Sequence, residues 1–101
     1  MTTKELTFMN VLRRANSKSM ARISLKEEAI VGEHFEYLKE TLTGGRLILE
    51  GRCLNGEFGI VIFYVDSEKQ AEDFMGNYAA VKKGVVTAEL YRFNIALKEK
   101  A

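Results

Sequence analysis

A chain of 101 residues, 47% hydrophobic and 29% charged, has room for one hydrophobic core and falls in the range of ordinary globular domains. Fifteen Lys and Arg against fourteen Asp and Glu leave a net charge of +1, which excludes the basic excess needed to neutralise nucleic acid or hold an anionic membrane surface. A lone Cys53 excludes an intrachain disulfide, and no apolar run approaches the roughly 18 residues of a membrane span or follows a basic N-terminal segment, so a cytoplasmic protein is expected.

Leu6 to Leu12 reads as a strand, with Thr7, Met9 and Val11 alternating against Leu6, Phe8 and Leu12, and Asn10 the polar member of the second set. Arg13 to Ile23 follows as a long polar connection. Its Arg13, Arg14, Lys18 and Arg22 form the nearest approach to a basic patch, ordinarily a solvated loop and otherwise a small-anion site.

Ser24 followed by Glu27 is a capping-box pattern that opens a helix. On a helical wheel Ile30, Val31, Phe35, Leu38 and Leu42 share one arc, which predicts that this stripe faces a sheet. Gly44-Gly45 ends the helix, where a left-handed residue satisfies the last carbonyls. Arg46 to Glu50 and Phe58 to Val65 are predicted strands joined through Asn55-Gly56, a dipeptide suited to two positive φ angles in a hairpin. Asp66 and Ser67 cap a second helix running to Met75, with Gly76 at its end, and Val85 to Ile95 alternates as the last strand.

The order strand, helix, strand, strand, helix, strand predicts an α+β fold of the ferredoxin-like βαββαβ type, one domain over residues 1–101, with a four-stranded antiparallel sheet carrying two helices on one face. Phe58, Ile60, Ile62 and Tyr64 alternate with Gly59, Val61, Phe63 and Val65, so the third strand is apolar on both faces. Helices can cover only one of them, and a second copy of the chain is the simplest cover for the other, which predicts a homodimer.

The run of Glu33-His34, Tyr37-Leu38, Gly45-Arg46-Leu47, Glu50-Gly51, Ala80-Val81 and Gly84-Val85-Val86 resembles the YciI-like (YCII-related) family over most of the chain, from the first helix to the last strand. The resemblance implies a dimeric α+β barrel. It also implies an active site between the first helix and the segment after the second, where family members place a His and an Asp. His34, the only histidine, stands at the family's helix position and maps within the apolar arc, where partial burial would tune an imidazole as acid or base; the alternative is a core-edge histidine bonded to a carbonyl.

The chain departs from the family at the partner: Tyr78 occupies the Asp position and Ala79 that of the following Pro. Asn77 lies one residue earlier and substitutes only if the loop shifts register, and neither Asn nor a neutral Tyr stabilises an imidazolium as a carboxylate does. Glu50 and Glu89 fall on predicted strands, where an inward carboxylate needs a partner. Arg46 and Arg92 are the residues to supply one, or to bind an anionic group of a ligand. No metal-ligand spacing, Ser-His-Asp triad or nucleotide fingerprint is present, so no cofactor is expected. With the resemblance, these features predict a cleft beside His34 for a small ligand, an aromatic one included, worked by cofactor-free acid/base chemistry. The alternative is a binding, regulatory or assembly module that has lost the chemistry with the Asp.

Overall fold

A computed structural model describes residues 6–15 and 25–98. Its elements run β1 (Leu6–Arg14), α1 (Leu25–Thr43), β2 (Leu47–Arg52), β3 (Gly59–Val65), α2 (Glu68–Gly76), α3 (Ala79–Lys82) and β4 (Val86–Arg92). The strands form one antiparallel sheet in the order β2-β3-β1-β4, an α+β arrangement consistent with the ferredoxin-like topology. Among the described residues no helix is long and apolar enough to cross a membrane.

Local chemistry accounts for most boundaries. Gly45 ends α1 at φ 82°, with the Arg46 amide donating to the Thr41 carbonyl at 3.2 Å and the Gly45 amide to Leu42 at 3.0 Å. These are the two bonds of a Schellman cap, which a left-handed residue makes accessible. Ser67 caps α2 by accepting the Gln70 amide at 3.2 Å, while the Gln70 side chain accepts the Asp66 amide at 2.8 Å. The β2-β3 hairpin turns one residue earlier than its Asn55-Gly56 dipeptide suggests. The Gly56 amide bonds the Cys53 carbonyl, placing Leu54 and Asn55 at the centre, and Gly56 follows at φ 77° to return the chain to the ladder.

The sheet has two distinct faces. Phe8, Leu12, Val61, Phe63 and Val65 point toward the helices, where they pack with Leu38, Ala71, Tyr78 and Ala80. Residues of opposite parity, including Met9, Val11, Ile60, Ile62 and Tyr64, lie on the other face, as the alternation of β3 predicts.

Besides the hairpin turn, several features differ from the sequence reading: β2 runs Leu47–Arg52 where Arg46 to Glu50 is predicted, and β4 ends at Arg92, short of Ile95, as the chain leaves the ladder. β1 runs two residues past Leu12, because Arg13 and Arg14 continue the ladder opposite Thr87 and Val86; Arg14 thereby leaves the connection and becomes a buried member of the helix-facing side. Lys18, Arg22 and Ser24, with the side chain of Glu27, lie outside the described residues. A third helix, α3, follows α2, too short for any periodicity to reveal, and is closed by Gly84 at φ 72° with the Val85 amide bonded to Ala80 at 2.9 Å. The buried stripe of α1 is also rotated from the predicted arc. Ile30, His34, Tyr37 and Leu38 face inward, whereas Phe35 and Leu42 are 52% and 54% exposed beside the edge strand β2. The Tyr37 ring accounts for the rotation, since it packs against Phe74 and Tyr78 at centroid distances of 5.4 and 6.1 Å.

Candidate functional site

His34 sits in the middle of the inward stripe of α1, on the wall of a cavity of about 520 Å³ between that helix, the sheet and the start of β4. Only 8% of the residue is exposed, and its Nδ1 is buried without a hydrogen-bond partner. Burial holds its pKa below the ordinary value of 6.5, so the ring is neutral at physiological pH. The burial expected of it is present, and among the described residues neither a carboxylate nor a backbone carbonyl is hydrogen-bonded to Nδ1. A buried nitrogen with no partner costs free energy unless a ligand or water completes it.

The rest of the cavity is mixed. Leu12, Val31, Phe35, Val85 and Val86 give it apolar walls, and Gly32, Gly51 and Gly59 leave it room. Four charged side chains border it: Glu28 from α1, Arg14 from β1, and Glu50 and Arg52 from β2. Burial raises the Glu50 carboxyl above its ordinary value, and the Arg52 guanidinium partly opposes that shift. An apolar slot with a few convergent polar groups is the usual form of a small-molecule site.

Tyr78 occupies a different position from the one its sequence place suggests. It is fully buried behind His34, not on the cavity wall, with the two rings edge to face at 4.9 Å. Its hydroxyl turns away and donates to Asn10 Oδ1 at 2.6 Å, while the Asn10 amide reaches the Glu89 carbonyl at 3.3 Å and Met75 Sδ at 3.0 Å. Burial, with Tyr37 and Glu50 adding to it, pushes the phenol far above its ordinary range, which removes Tyr78 as a source or sink of protons. Its part is to hold one face of the imidazole in place. Asn10, the polar residue that interrupts the apolar set of β1, is the buried partner of Tyr78 that sequence reasoning did not assign; its position between Phe8 and Leu12 on a core-facing strand was the available signal.

The other predicted ligand contacts do not gather at His34. Arg46 lies beside a second cavity of about 370 Å³ with Tyr37, Phe63 and Phe74, and pairs with Asp66 at 3.6 Å. Arg92 stacks its guanidinium over the Phe8 ring at 5.8 Å, and Asn77 is an exposed residue at the C-cap of α2. Glu89 is ion-paired with Arg13 and accepts the Tyr91 hydroxyl at 2.9 Å, on the sheet face away from the helices. Of the predicted set, the cavity unites His34 and Glu50. Among the described residues no group of three His, Cys, Asp or Glu side chains could hold a metal ion.

The described residues form an α+β fold with a polar-bordered cleft beside His34, between the first helix and the sheet. The chain matches no model of a known protein family, and no curated protein matches it.

Proposed function

We propose that this chain is a YciI-like protein that binds a small ligand with a flat apolar body in the cleft beside His34 and moves a proton on it without a cofactor. The observation that carries this reading is His34, a lining residue of a 520 Å³ cavity whose Nδ1 is buried without a hydrogen-bond partner. A neutral imidazole in an apolar slot is a competent general base, because it needs no prior deprotonation and the slot limits competition from water. Arg52 at the border suits an anionic substituent on such a ligand.

The reading includes a homodimer joined through the open sheet face. Met9, Val11, Ile60, Ile62 and Tyr64 form an apolar set there, flanked by Leu49 and Tyr91, which are 45% and 46% exposed. Facing sheets of this kind would close the four-stranded half into a barrel.

A second reading, a binding or regulatory module without chemistry, draws on the Tyr78 hydroxyl being committed to Asn10 and on the lack of a carboxylate bonded to His34. Calorimetric titration with benzoate, phenylpyruvate and a neutral analogue such as benzyl alcohol tests both. Saturable binding of the acids that is lost in His34→Ala supports a ligand cleft at His34. Binding by none of the three, or binding unchanged in His34→Ala, contradicts it.

A further inference from the structure

Regular alternation along β2 would put Glu50 on the open face of the sheet, since Leu47 points toward the helices. The register does otherwise. Leu47 opposes Phe63, Leu49 opposes Ile62 and Glu50 opposes Val61, so Ile48 is an extra residue and every side chain after it changes face. The bulge turns Glu50 and Arg52 together toward the helix layer, where both line the cavity that holds His34. Opposite Arg52 on the neighbouring strand is Gly59, where an added Cβ would come within 3.1 Å of the Gly51 carbonyl. The edge strand therefore lies close against β3 where Arg52 enters the cleft, two residues on from Glu50. Bulges that re-aim side chains recur beside active sites.

The geometry points to Glu50 as a second proton carrier of this cleft, acting with His34 on a small 2-keto acid whose carboxylate is held by Arg52. This rests on the reading of the cleft as a ligand site. His34 approaches from α1 and Glu50 from the sheet, so a ligand lying between the two layers meets one group on each side. Burial favours the neutral imidazole, and at the exposed Glu50 partial desolvation, opposed by Arg52, favours the protonated carboxyl. The reaction class is keto-enol tautomerisation. His34 takes a proton from C3, the C3–H electron pair becomes the C2=C3 bond, and the carbonyl π pair forms an O–H bond with the proton of Glu50. Passage of the imidazolium proton to the Glu50 carboxylate through water restores both groups, and no oxidant or reductant is consumed.

The test follows phenylpyruvate tautomerisation by the absorbance of its enol and phenylpyruvate binding by calorimetry, in wild type, Glu50→Gln and His34→Gln, with thermal melts to show that each variant folds. Glutamine keeps the size of Glu50 and removes its proton chemistry. The expected result is binding within threefold of wild type in Glu50→Gln with catalysed conversion reduced at least thirtyfold. Full conversion in Glu50→Gln alongside loss in His34→Gln overturns the role of Glu50 and leaves the cleft reading standing. Wild type that binds phenylpyruvate without converting it overturns the proposal and retains a binding site, whereas no binding at all overturns both.

Discussion

The Tyr78 ring meets the His34 imidazole edge to face at 4.9 Å, while the Tyr78 hydroxyl donates into the core to Asn10. The phenol thus has a mechanical relationship to the imidazole and no acid-base one, and its two halves can be separated by mutation. Tyr78→Phe keeps the ring contact but leaves Asn10 Oδ1 buried without its donor, a loss of about 1–3 kcal/mol. Tyr78→Ala removes the centre of a cluster that includes Tyr37 and Phe74 and should cost about 3–5 kcal/mol. Urea unfolding checks both magnitudes. In Tyr78→Phe the titration of His34, followed by NMR, should stay at its wild-type position; a displaced titration would mean that the hydroxyl reaches the imidazole after all.

The lowered pKa of His34 makes stability depend on pH with a definite sign. A histidine that is neutral in the folded state binds its proton more readily once unfolded, so its contribution is complete above the ordinary value of 6.5 and is lost as pH falls through the window below it. Glu50 has the opposite sign, since its carboxyl is raised and its contribution fades as pH climbs above the ordinary 4.5. Melting temperature should therefore fall between pH 7 and pH 5 in wild type, and fall less in His34→Gln. An equal slope in the two proteins would show that His34 is not the group responsible.

Gly32 offers a way to fill the cleft without touching its polar groups. It lies on α1 at the cavity wall, and a Cβ built there meets nothing within 4 Å. Gly32→Ala should stabilise the protein by about 0.5–1 kcal/mol through helix propensity. Gly32→Leu should fold equally well and exclude ligand from His34. Circular dichroism melts with calorimetric titration of benzoate check both points, and undiminished benzoate binding in Gly32→Leu would place the ligand elsewhere.

The open sheet face gives a prediction about assembly. Ile60 is half-buried there, opposite Val11 of β1, so a lysine at this position can reach solvent in a lone chain but not between two sheets. Light scattering coupled to size exclusion should find a dimer for wild type at micromolar concentration and a monomer for Ile60→Lys with an unchanged circular dichroism spectrum. A monomeric wild type at that concentration contradicts dimerisation.

What the sequence made legible was what local chemistry controls. The Gly45 cap, the Ser67 cap and the two-faced alternation of β3 each depend on residues close together in the chain, and each stands where the pattern puts it. Facing that depends on distant partners was harder to read. The wheel of α1 gave Phe35 and Leu42 equal weight with Leu38, but the rotation is set by Tyr37 meeting Phe74 and Tyr78, which are more than thirty residues away in the chain. The bulge at Ile48 leaves no mark in composition, and with it hidden the direction of Glu50 was open. His34 was found by being the sole histidine in an apolar stripe. Its neighbours in the cleft, Arg14 and Arg52, emerge only from strand extension and register.

Because the chain has one histidine, its imidazole resonances report on the cleft without assignment ambiguity. The most direct measurement is a long-range 1H–15N spectrum of that ring during titration with phenylpyruvate, in wild type and in Gly32→Leu. The account predicts saturable shifts of both ring nitrogens in wild type, the largest at the one now lacking a partner, and no change in Gly32→Leu. Imidazole signals that stay fixed in wild type while phenylpyruvate binds would contradict the assignment of this cleft as the functional site.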